Sequence, residues 1–314
     1  MIFVGIPAYQ AEKTIKSVIL DVLSTAHTAK NMTDTYITVV DDGSTDRTST
    51  EAESVNVGKL RVPVITVRHK TNLGYGAAIR TLFELAKRDM VNGDVFVTMD
   101  SDGQHHAKDI PLLIAPIQCG SADIVLGSRF LDETKDTIPK VRRIGIENIT
   151  KLTNKSLGTS YTDAQCGLRA YNRKAVKLLC QESTVDGMGL STEVLSIASQ
   201  GNLVVVESPV RCSYGGADSS TQGKITHGAD VIGSLFQFIL ERGSKWVFLS
   251  GLLSGLFSLI FGIRLVMLFN DTGVFVLSYG LLMLYTTLVS LILILASINV
   301  YTIIRLKELL RLGK

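Results

Sequence analysis

The sequence predicts an α/β domain built on a mostly parallel β-sheet, followed by a pair of membrane-spanning helices. In the first half, short runs rich in Val, Ile and Phe alternate with stretches whose apolar residues keep helical spacing. Strands that alternate with helices in this way form parallel sheets covered by helices on both faces. The hydrophobic excess of the chain lies after about residue 245, which separates a globular part from a membrane part.

The strands and helices of the globular part follow from the spacing of apolar residues. Helical spacing runs from Ile15 to Ala26 and from Ile79 to Ala86. Two connections, Asp132 to Arg143 and Ser213 to Gly223, lack this periodicity and are predicted as loops, the first of them mobile. Strands are expected at Ile2–Ile6, Ile37–Val40, Val62–Val67, Val95–Met99 and Ile124–Leu126.

Two long apolar stretches toward the C-terminus predict a transmembrane hairpin. Residues 246–269 carry Arg264 as their only charge and residues 274–300 carry none, and about 20 such residues cross a bilayer. The preceding stretch has one apolar face with charged ends, which is typical of a helix lying in the membrane interface. The chain therefore divides into a globular domain at 1–222, an interfacial amphipathic helix at 223–245, and a hairpin with a basic tail at 246–314.

The distribution of charge predicts the orientation of this hairpin. The turn between the two spans carries one acid and no base, whereas both outer flanks carry Lys and Arg. By the positive-inside rule, the globular domain and the C-terminus face the cytoplasm. Two spans are few, and a homo-oligomer is one arrangement that would enlarge this membrane part.

Composition excludes several other classes of protein. The formal net charge of +3 is too small for the basic surface of a nucleic-acid-binding protein. Cys119, Cys166, Cys180 and Cys212 lie far apart and form no CxxC pair, which predicts reduced thiols rather than a disulfide framework or a zinc site. The N-terminal run MIFVGIPAYQ lacks a basic region and is predicted as a first strand rather than a cleaved signal.

Two acids follow the fourth predicted strand. In the motif MDSDGQHH, Asp100 and Asp102 stand where the chain leaves the sheet, on the side where such sheets bind ligands. Carboxylate oxygens are the ligands that Mg²⁺ and Mn²⁺ prefer, and Gln104 or His105 could complete the shell. Solvated acid pairs are common in turns, but the position after a strand favours a divalent-metal site that would bind a nucleoside diphosphate.

Two further motifs also lie at the ends of predicted strands or the starts of helices. Asp41 and Asp42 close the second strand in VVDDGSTDRT, and Ser44 or Thr45 is expected to cap the next helix. Capping accounts for the hydroxyl groups but not for two adjacent acids. In NLGYGAAIR, residues 72–80, two glycines open a helix, so backbone amides there could approach a phosphate, or the glycines mark only a tight turn.

Taken together and in order, these motifs resemble those of the family 2 glycosyltransferases of the GT-A fold. Within that family the sequence is most similar to the dolichol-phosphate mannose and polyprenyl-phosphate glucose synthases. The resemblance runs along the whole chain and depends on the number and order of the matches, which are PAYQAEKTI, VVDDGSTD, NLGYGAA, DSDGQH, GSRF at 127–130 and DAQCGLRAY at 163–171. It implies transfer of a sugar from a nucleotide donor, such as GDP-mannose or UDP-glucose, to a polyprenyl or dolichyl phosphate with Mg²⁺ or Mn²⁺ as cofactor.

The resemblance also implies which residues bind the donor. Asp100 would face the ribose and diphosphate, while Asp102 and Gln104 would bind the metal. The family often has Asn and then Glu after the tyrosine of its first motif, whereas Gln10 and Ala11 stand here, with Glu12 next to them. The nucleotide itself would be held by Pro7, Tyr9, Asp41 and Asp42.

The resemblance also implies that arginines bind the acceptor. Arg129 would meet the acceptor phosphate, and Arg142 is the best match to a second phosphate-binding arginine, with Arg143 nearly as good. Asp102, Arg129 and Arg142 would thus form the catalytic group. Contact of Arg142 and Arg143 with anionic lipid head groups is the alternative.

Charge predicts the mechanism. A lipid phosphate has a second pKa of about 6 and is largely dianionic at neutral pH, so it needs cations that hold it in line rather than a general base. Direct in-line attack would invert the anomeric centre. A hydroxyl acceptor would require a base, for which Asp163 or Glu193 would be the candidates.

Two rivals differ from this reaction. A processive polysaccharide synthase usually carries a QxxRW motif, whereas the single tryptophan, Trp246, follows Lys245. A non-catalytic, membrane-anchored protein that binds nucleotide sugars would be expected to lack the metal-binding acids or the phosphate-binding arginines, and both sets are present.

Overall fold

The computed structural model describes residues 1–32, 34–55, 63–131, 138–214 and 224–312, with the side chains of residues 141, 224–246, 300, 301 and 303–312 excepted. The chain forms two compact units, Met1–Ile232 and Gly233–Lys314. The strands are β1 (Ile2–Ala8), β2 (Thr35–Asp41), β3 (Val64–Arg68), β4 (Val95–Thr98), β5 (Ile124–Ser128), β6 (Arg169–Asn172) and β7 (Val205–Pro209). The helices are α1 (Ile15–Thr28), α2 (Thr48–Ser54), α3 (Tyr75–Asp89), α4 (Ile110–Gln118), α5 (Lys140–Leu157), α6 (Arg173–Glu182), α7 (Leu190–Gln200), α8 (Lys224–Thr272) and α9 (Leu277–Leu312).

The sheet confirms the predicted α/β class. Its seven strands lie in the order β3-β2-β1-β4-β6-β5-β7. Strands β1 to β4 pair in parallel, β5 pairs in parallel with β7, and β6 runs antiparallel to both β4 and β5. The chain winds outward from β1 through β2 to β3 and then returns to place β4 on the other side of β1. Ligands of such sheets bind at the carboxyl ends of the strands where this direction reverses.

Helices cover both faces of the sheet because side chains of a strand alternate between its faces. Ile2, Val4 and Ile6 of β1 are buried in one hydrophobic cluster with residues of α1 and α4. The opposite cluster contains residues of α3, α6 and α7. In it, the ring of Phe83 packs edge-on against the rings of Phe96 and Tyr171, at centroid distances of 5.7 and 5.3 Å. The result is a three-layer domain with the sheet between two layers of helices.

Two local predictions were wrong. Helix α2 begins at Thr48, because the hydroxyls of Ser44 and Thr45 accept hydrogen bonds from Gln10, at 3.0 Å from its backbone N and 2.7 Å from its Nε2, instead of capping the helix. The predicted loop from residue 132 to residue 143 is already helical from Lys140. Its residues 132–137, and residues 215–223 of the second predicted loop, lie outside the described residues.

The second unit contains two helical stretches, Val247–Thr272 and Leu277–Asn299, that are long and apolar enough to cross a membrane. They pack against each other through small residues. Ser290 Oγ donates to the carbonyl of Gly251 at 2.8 Å, and Ser254 Oγ donates to the carbonyl of Thr286 at 2.9 Å. Small residues let transmembrane helices approach closely. The glycine, serine and threonine residues of these contacts therefore explain why the two helices can pack side by side. Helix α8 starts at Lys224, so the predicted interfacial helix and first span belong to one continuous helix.

Candidate active site

The polar residues singled out in the sequence lie at one edge of the sheet. Pro7 is within β1 and Tyr9 follows that strand, while Asp41 and Asp42 lie at the end of β2. Asp100 and Asp102 follow β4. Since β1 lies between β2 and β4 in the sheet, the order of strands brings all three groups to the same carboxyl edge.

Asp41 and Asp42 are both buried, and protein groups already occupy much of their hydrogen-bonding capacity. Asp41 accepts hydrogen bonds from Ser44 N at 2.9 Å and from the hydroxyl of Ser49. Asp42 Oδ1 lies 2.7 Å from His69 Nδ1, and both Asp42 oxygens accept backbone N–H groups of the 73–74 turn. The two acids therefore fix the loops around the site. A nucleotide contact by either one stays a prediction.

The loop after β1 is held against the loop after β2. Gln10 has a φ of +53°, a left-handed conformation that few residues other than glycine and asparagine adopt. Ala11 N donates to Thr48 Oγ1 at 2.8 Å, and Arg47 N donates to Glu12 Oε2 at 3.2 Å. Backbone strain at a ligand-binding edge is often retained for function. Glu12 thus bonds within this loop pair, next to the position where the family often has its glutamate.

Asp102 carries the clearest electrostatic signature of the site. Burial and the neighbouring charge of Asp100 raise the pKa of Asp102 to about 6, while the charges of Arg142 and Arg129 act in the opposite direction. Asp102 Oδ1 also accepts Gln104 N at 2.9 Å, which closes a tight turn. Two partly buried carboxylates repel each other, and a bound cation would reduce this repulsion.

The donor set of this turn fits a hard divalent cation. Asp100, Asp102 and the amide of Gln104 offer only oxygen ligands, as Mg²⁺ and Mn²⁺ prefer. Across the described residues, no three or more His, Cys, Asp and Glu side chains form a metal-holding group. His105 is buried, with its Nδ1 lacking a hydrogen-bond partner and its Nε2 3.7 Å from Asp100 Oδ2. The candidate ligands are therefore two carboxylates and the side-chain amide oxygen of Gln104. The buried ring of His105 lies next to Asp100.

Arg129 lies in a buried ion pair with Asp163. Its Nε and Nη2 donate to the two carboxylate oxygens at 2.6 and 2.9 Å, and the two side chains are 6% and 0% exposed. Burial opposes the charge of Arg129, but Asp163 outweighs this effect and raises the pKa of Arg129 well above its ordinary value. The same pair lowers the pKa of Asp163 despite its burial. Both groups therefore stay charged at neutral pH.

Arg142 and Arg143 differ in their surroundings although they are neighbours on α5. The guanidinium of Arg142 lies over the ring of Tyr214, 5.0 Å from its centroid, in a cation–π contact. Arg143 pairs with Glu147 one turn along the helix at 2.9 Å. Only Arg142 of the two contributes to the pKa of Asp102. The structure thus brings Arg142, rather than Arg143, into electrostatic contact with the acids.

The glycine motif has a different role from phosphate binding. The amides of Gly76 and Ala77 at the start of α3 both donate to the carbonyl of Asp186, at 2.6 and 3.3 Å. A Cβ at Gly76 would lie 2.2 Å from the carbonyl oxygen of Val185. Arg80 Nη1 donates to that same carbonyl at 2.6 Å. The glycines therefore allow the backbone at 185–186 to cap α3, and the amides that could have met a phosphate are occupied.

Both candidate bases are engaged in hydrogen bonds within the protein. Asp163 is held by Arg129, as described above. Glu193 accepts backbone N–H groups of Thr184 and Val185, each at 3.0 Å, and the hydroxyl of Thr184 at 2.8 Å. Both carboxylates are thus structural groups of the first unit.

Three contacts of the site were not predicted from the sequence. Tyr75 donates its hydroxyl to Asp100 Oδ1 at 3.1 Å. A Cβ at Gly167 would lie 2.1 Å from Asp100 Oδ2. Buried Arg169 donates to three backbone carbonyls, including that of Cys166 at 2.7 Å. Gly167 and Arg169 belong to the motif DAQCGLRAY, which could have marked them as residues of the site. The groups that they approach lie elsewhere in the chain, so the motif alone did not predict these contacts.

An α/β sheet with acids at its carboxyl edge and arginines nearby is the arrangement that the sequence predicted for a glycosyltransferase. Residues 3–179 match the sequence profile of glycosyl transferase family 2. The chain belongs to this family, and the predicted family and enzyme class are confirmed.

Individual relatives agree with this assignment. An uncharacterized protein of Methanocaldococcus jannaschii is 31% identical over 245 residues, 77% of this chain and 92% of that protein. A UDP-N-acetylglucosamine–dolichyl-phosphate N-acetylglucosaminyltransferase of Methanococcus voltae is 32% identical over 225 residues, 68% of this chain and 86% of that protein. Other relatives are also dolichyl- or undecaprenyl-phosphate sugar transferases.

A solved structure supports the fold. The glucosyl-3-phosphoglycerate synthase of Mycobacterium tuberculosis, in complex with Mn²⁺, uridine diphosphate and glucosyl-3-phosphoglycerate, superimposes with a TM-score of 0.52. The match covers 75% of this chain and 78% of that one at 20% identity. It confirms the predicted GT-A fold.

Proposed function

We propose that this enzyme transfers a sugar from a nucleoside-diphosphate donor to a polyprenyl or dolichyl phosphate, with inversion, at the cytoplasmic membrane face. The observation that carries the proposal is the electrostatic environment of Asp102. Burial and the charge of Asp100 raise the pKa of Asp102 to about 6, against the opposing effect of the positive charges of Arg142 and Arg129. One place in the molecule thus combines oxygen ligands for a cation with guanidinium groups for an anion.

The acids form the donor side of the proposed site. Asp102 and Gln104 would hold Mg²⁺ or Mn²⁺, and Asp100 would face the ribose and diphosphate. When bound, the cation stabilises the negative charge of the departing diphosphate. Pro7, Tyr9, Asp41 and Asp42 would line the nucleotide end, because they occupy the neighbouring strand ends. The Methanococcus relative, whose name gives a UDP-linked donor, supports a nucleotide sugar as substrate.

The arginines form the acceptor side. Arg142 would bind the lipid phosphate directly, and Arg129 would add positive charge from beneath while Asp163 holds it in place. A dianionic phosphate is itself the nucleophile and needs no base. The engagement of Asp163 and Glu193 in structural contacts supports this acceptor over a hydroxyl group.

The membrane part would bring this chemistry to its lipid. Two apolar helices are long enough to span a bilayer, and a polyprenyl chain is confined to that bilayer. We therefore propose that the hairpin keeps the globular unit at the cytoplasmic surface, as the positive-inside rule predicts. Self-association in the membrane stays a prediction.

The reaction is tested with the full-length protein in detergent or liposomes. Radiolabelled nucleotide sugars are offered one at a time with polyprenyl phosphate and Mn²⁺ or Mg²⁺, and label is counted in the organic phase. Transfer from one donor, abolished in Asp102→Asn, is expected. Asp89→Asn removes an acid that pairs with Arg88 on the surface and serves as a matched control that should remain active.

A second arm separates the acceptor classes. Polyprenol and a glycolipid without a free phosphate replace polyprenyl phosphate under the same conditions. Transfer to these hydroxyl acceptors, and none to the phosphate, would overturn the proposed acceptor while leaving the donor reaction in place.

A further inference from the structure

Two residues outside its own motif define the surroundings of the Asp100 carboxylate. Its Oδ1 accepts the hydroxyl of Tyr75 at 3.1 Å, and its Oδ2 lies where a Cβ at Gly167 would approach to 2.1 Å. The Asp100 side chain is 30% exposed, so it faces the open site from this support. One oxygen is fixed by a hydrogen bond, and the other has room because residue 167 carries no Cβ.

We propose that Tyr75 is a positioning residue of the donor site, which orients the carboxylate of Asp100, one of the three oxygen donors of the candidate cation site, toward the metal-bound diphosphate. The inference rests on the proposed function, because it assumes that Asp100 faces the donor. Residues that hydrogen-bond to a ligating carboxylate fix its orientation, and their loss typically lowers metal affinity about 10- to 100-fold.

Tyr75 suits this role because its hydroxyl remains a donor. A phenol has an ordinary pKa of about 10 and is therefore protonated at neutral pH. A phenol that stays protonated has one hydrogen to donate, and the structure directs it to Asp100. The contact therefore selects one orientation of a carboxylate that could otherwise rotate.

The position of Tyr75 is in turn fixed by the start of α3. Tyr75 is the first residue of that helix, and the next two amides donate to the carbonyl of Asp186. Arg80 binds the side chain of Asp186 and the carbonyl of Val185. From the other side, Glu193 of α7 accepts the amide of Val185 at 3.0 Å. The glycine motif thus acts on the donor site through the hydroxyl of Tyr75.

The lack of a side chain at Gly167 leaves room for the second oxygen of Asp100. Its φ is not in the left-handed region, so alanine is compatible with the backbone. The added methyl group would instead displace the Asp100 carboxylate. Tyr75→Phe and Gly167→Ala therefore perturb the same side chain from opposite sides, one by removing a hydrogen bond and the other by steric displacement.

Binding of Mn²⁺ tests this proposal without relying on turnover. Free Mn²⁺ is measured by electron paramagnetic resonance while the full-length protein in detergent is titrated in the presence of UDP or GDP. Both variants are expected to weaken Mn²⁺ binding about 10- to 100-fold, with thermal unfolding close to that of the wild type. Tyr36 lies in β2, and its ring stacks on Phe3 near the start of β1, whereas Asp100 follows the end of β4. Tyr36→Phe removes a hydroxyl there and should bind Mn²⁺ as the wild type does.

Steady-state kinetics adds a second criterion. In the variants, the Mn²⁺ concentration for half-maximal transfer should rise, and saturating Mn²⁺ should restore most of kcat. If both variants bind Mn²⁺ as tightly as the wild type and Asp102→Asn does not bind it, the positioning role is overturned and the proposed function stays intact. A fall in unfolding temperature without any change in Mn²⁺ dependence would also overturn it. Failure of the wild type to bind Mn²⁺ with either nucleotide would instead refute the proposed function.

Discussion

Removing the charge of Asp163 should destabilise the globular unit, because it leaves the guanidinium of Arg129 buried without its counter-ion. The substitution Asp163→Asn keeps the size of the side chain and one acceptor oxygen. It removes the negative charge that now lies 2.6 and 2.9 Å from the two donor nitrogens of Arg129. The variant therefore isolates the charge from the packing.

The burial of the pair sets the expected magnitude. The side chains of Arg129 and Asp163 are 6% and 0% exposed, so water cannot solvate the charge that remains. Breaking such a pair by removing one partner costs about 3–5 kcal/mol. For a domain of this size, each kcal/mol lowers Tm by about 2–4 °C. Asp163→Asn should therefore lower Tm by roughly 6–20 °C.

Buried thiols give a direct assay of this change. Cys166 and Cys212 are buried, and all four cysteines are free. The exposed thiol of Cys119 reacts with a thiol-reactive dye in the folded protein. The further rise in fluorescence on heating therefore reports unfolding of the full-length protein in detergent. The single variant Arg129→Met should show a similar fall in Tm. The double variant Arg129→Met/Asp163→Asn should lose less than the sum of the two, since no charge is then left unpaired.

A fall of less than about 2 °C in Asp163→Asn would refute the argument, because that is below the effect of one kcal/mol. Strict additivity in the double variant would also contradict it. The pair's pH dependence has a defined sign. Because the folded-state pKa of Asp163 is lowered, its stabilisation is complete above the ordinary pKa of 3.8 and is lost as the pH falls through the lower folded-state value.

Three further predictions follow from the same geometry. Arg142→Ala should raise KM for polyprenyl phosphate roughly 10- to 100-fold, the effect of losing a charged hydrogen bond, whereas Arg143→Ala should change it less than about threefold; KM is measured by varying the lipid. Mn²⁺ affinity should decline as the pH falls below about 6, where Asp102 gains a proton. The metal-free fold should become more stable over the same range, because the pKa of Asp102 in the folded state exceeds its ordinary value of 3.8. Titrations of Mn²⁺ binding and of unfolding at pH 5 to 8 check both effects. Gly76→Ala should cost about 1–3 kcal/mol by overpacking, whereas Gly145→Ala, whose Cβ would meet nothing within 4 Å, should be neutral or stabilising in thermal unfolding.

The sequence predicted those parts of the site whose signals are local. An apolar run followed at once by acids marks both a strand and its carboxyl end. Strands β2 and β4 therefore brought Asp41, Asp42 and Asp100 to the expected edge. The two apolar helices were predicted for the same reason, since length and composition within one stretch suffice.

Contacts between distant segments could not be predicted in this way. Strands β6 and β7 were not predicted. Strand β6 has four residues, Arg169–Asn172, and its polar ends lack the apolar run by which the first five strands were found. The partner of Arg129 lies 34 residues away in the chain. The sequence showed a conspicuous arginine, and only the fold shows that Asp163 holds it. Gly167 likewise has no partner until β6 places it beside Asp100.

The two arginines near Asp102 therefore have separable roles, although the motifs alone suggested the same one. The guanidinium fork of Arg129 is engaged by both oxygens of Asp163, so its charge reaches the site more readily than its hydrogen bonds do. Arg142 is exposed, and its described contact is the ring of Tyr214. A contact with a ring leaves the N–H donors of a guanidinium available for a phosphate. We therefore propose direct binding of the acceptor by Arg142 and a fixed positive charge from Arg129. Loss of Arg142 should then act mainly on acceptor binding, and loss of Arg129 first on folding.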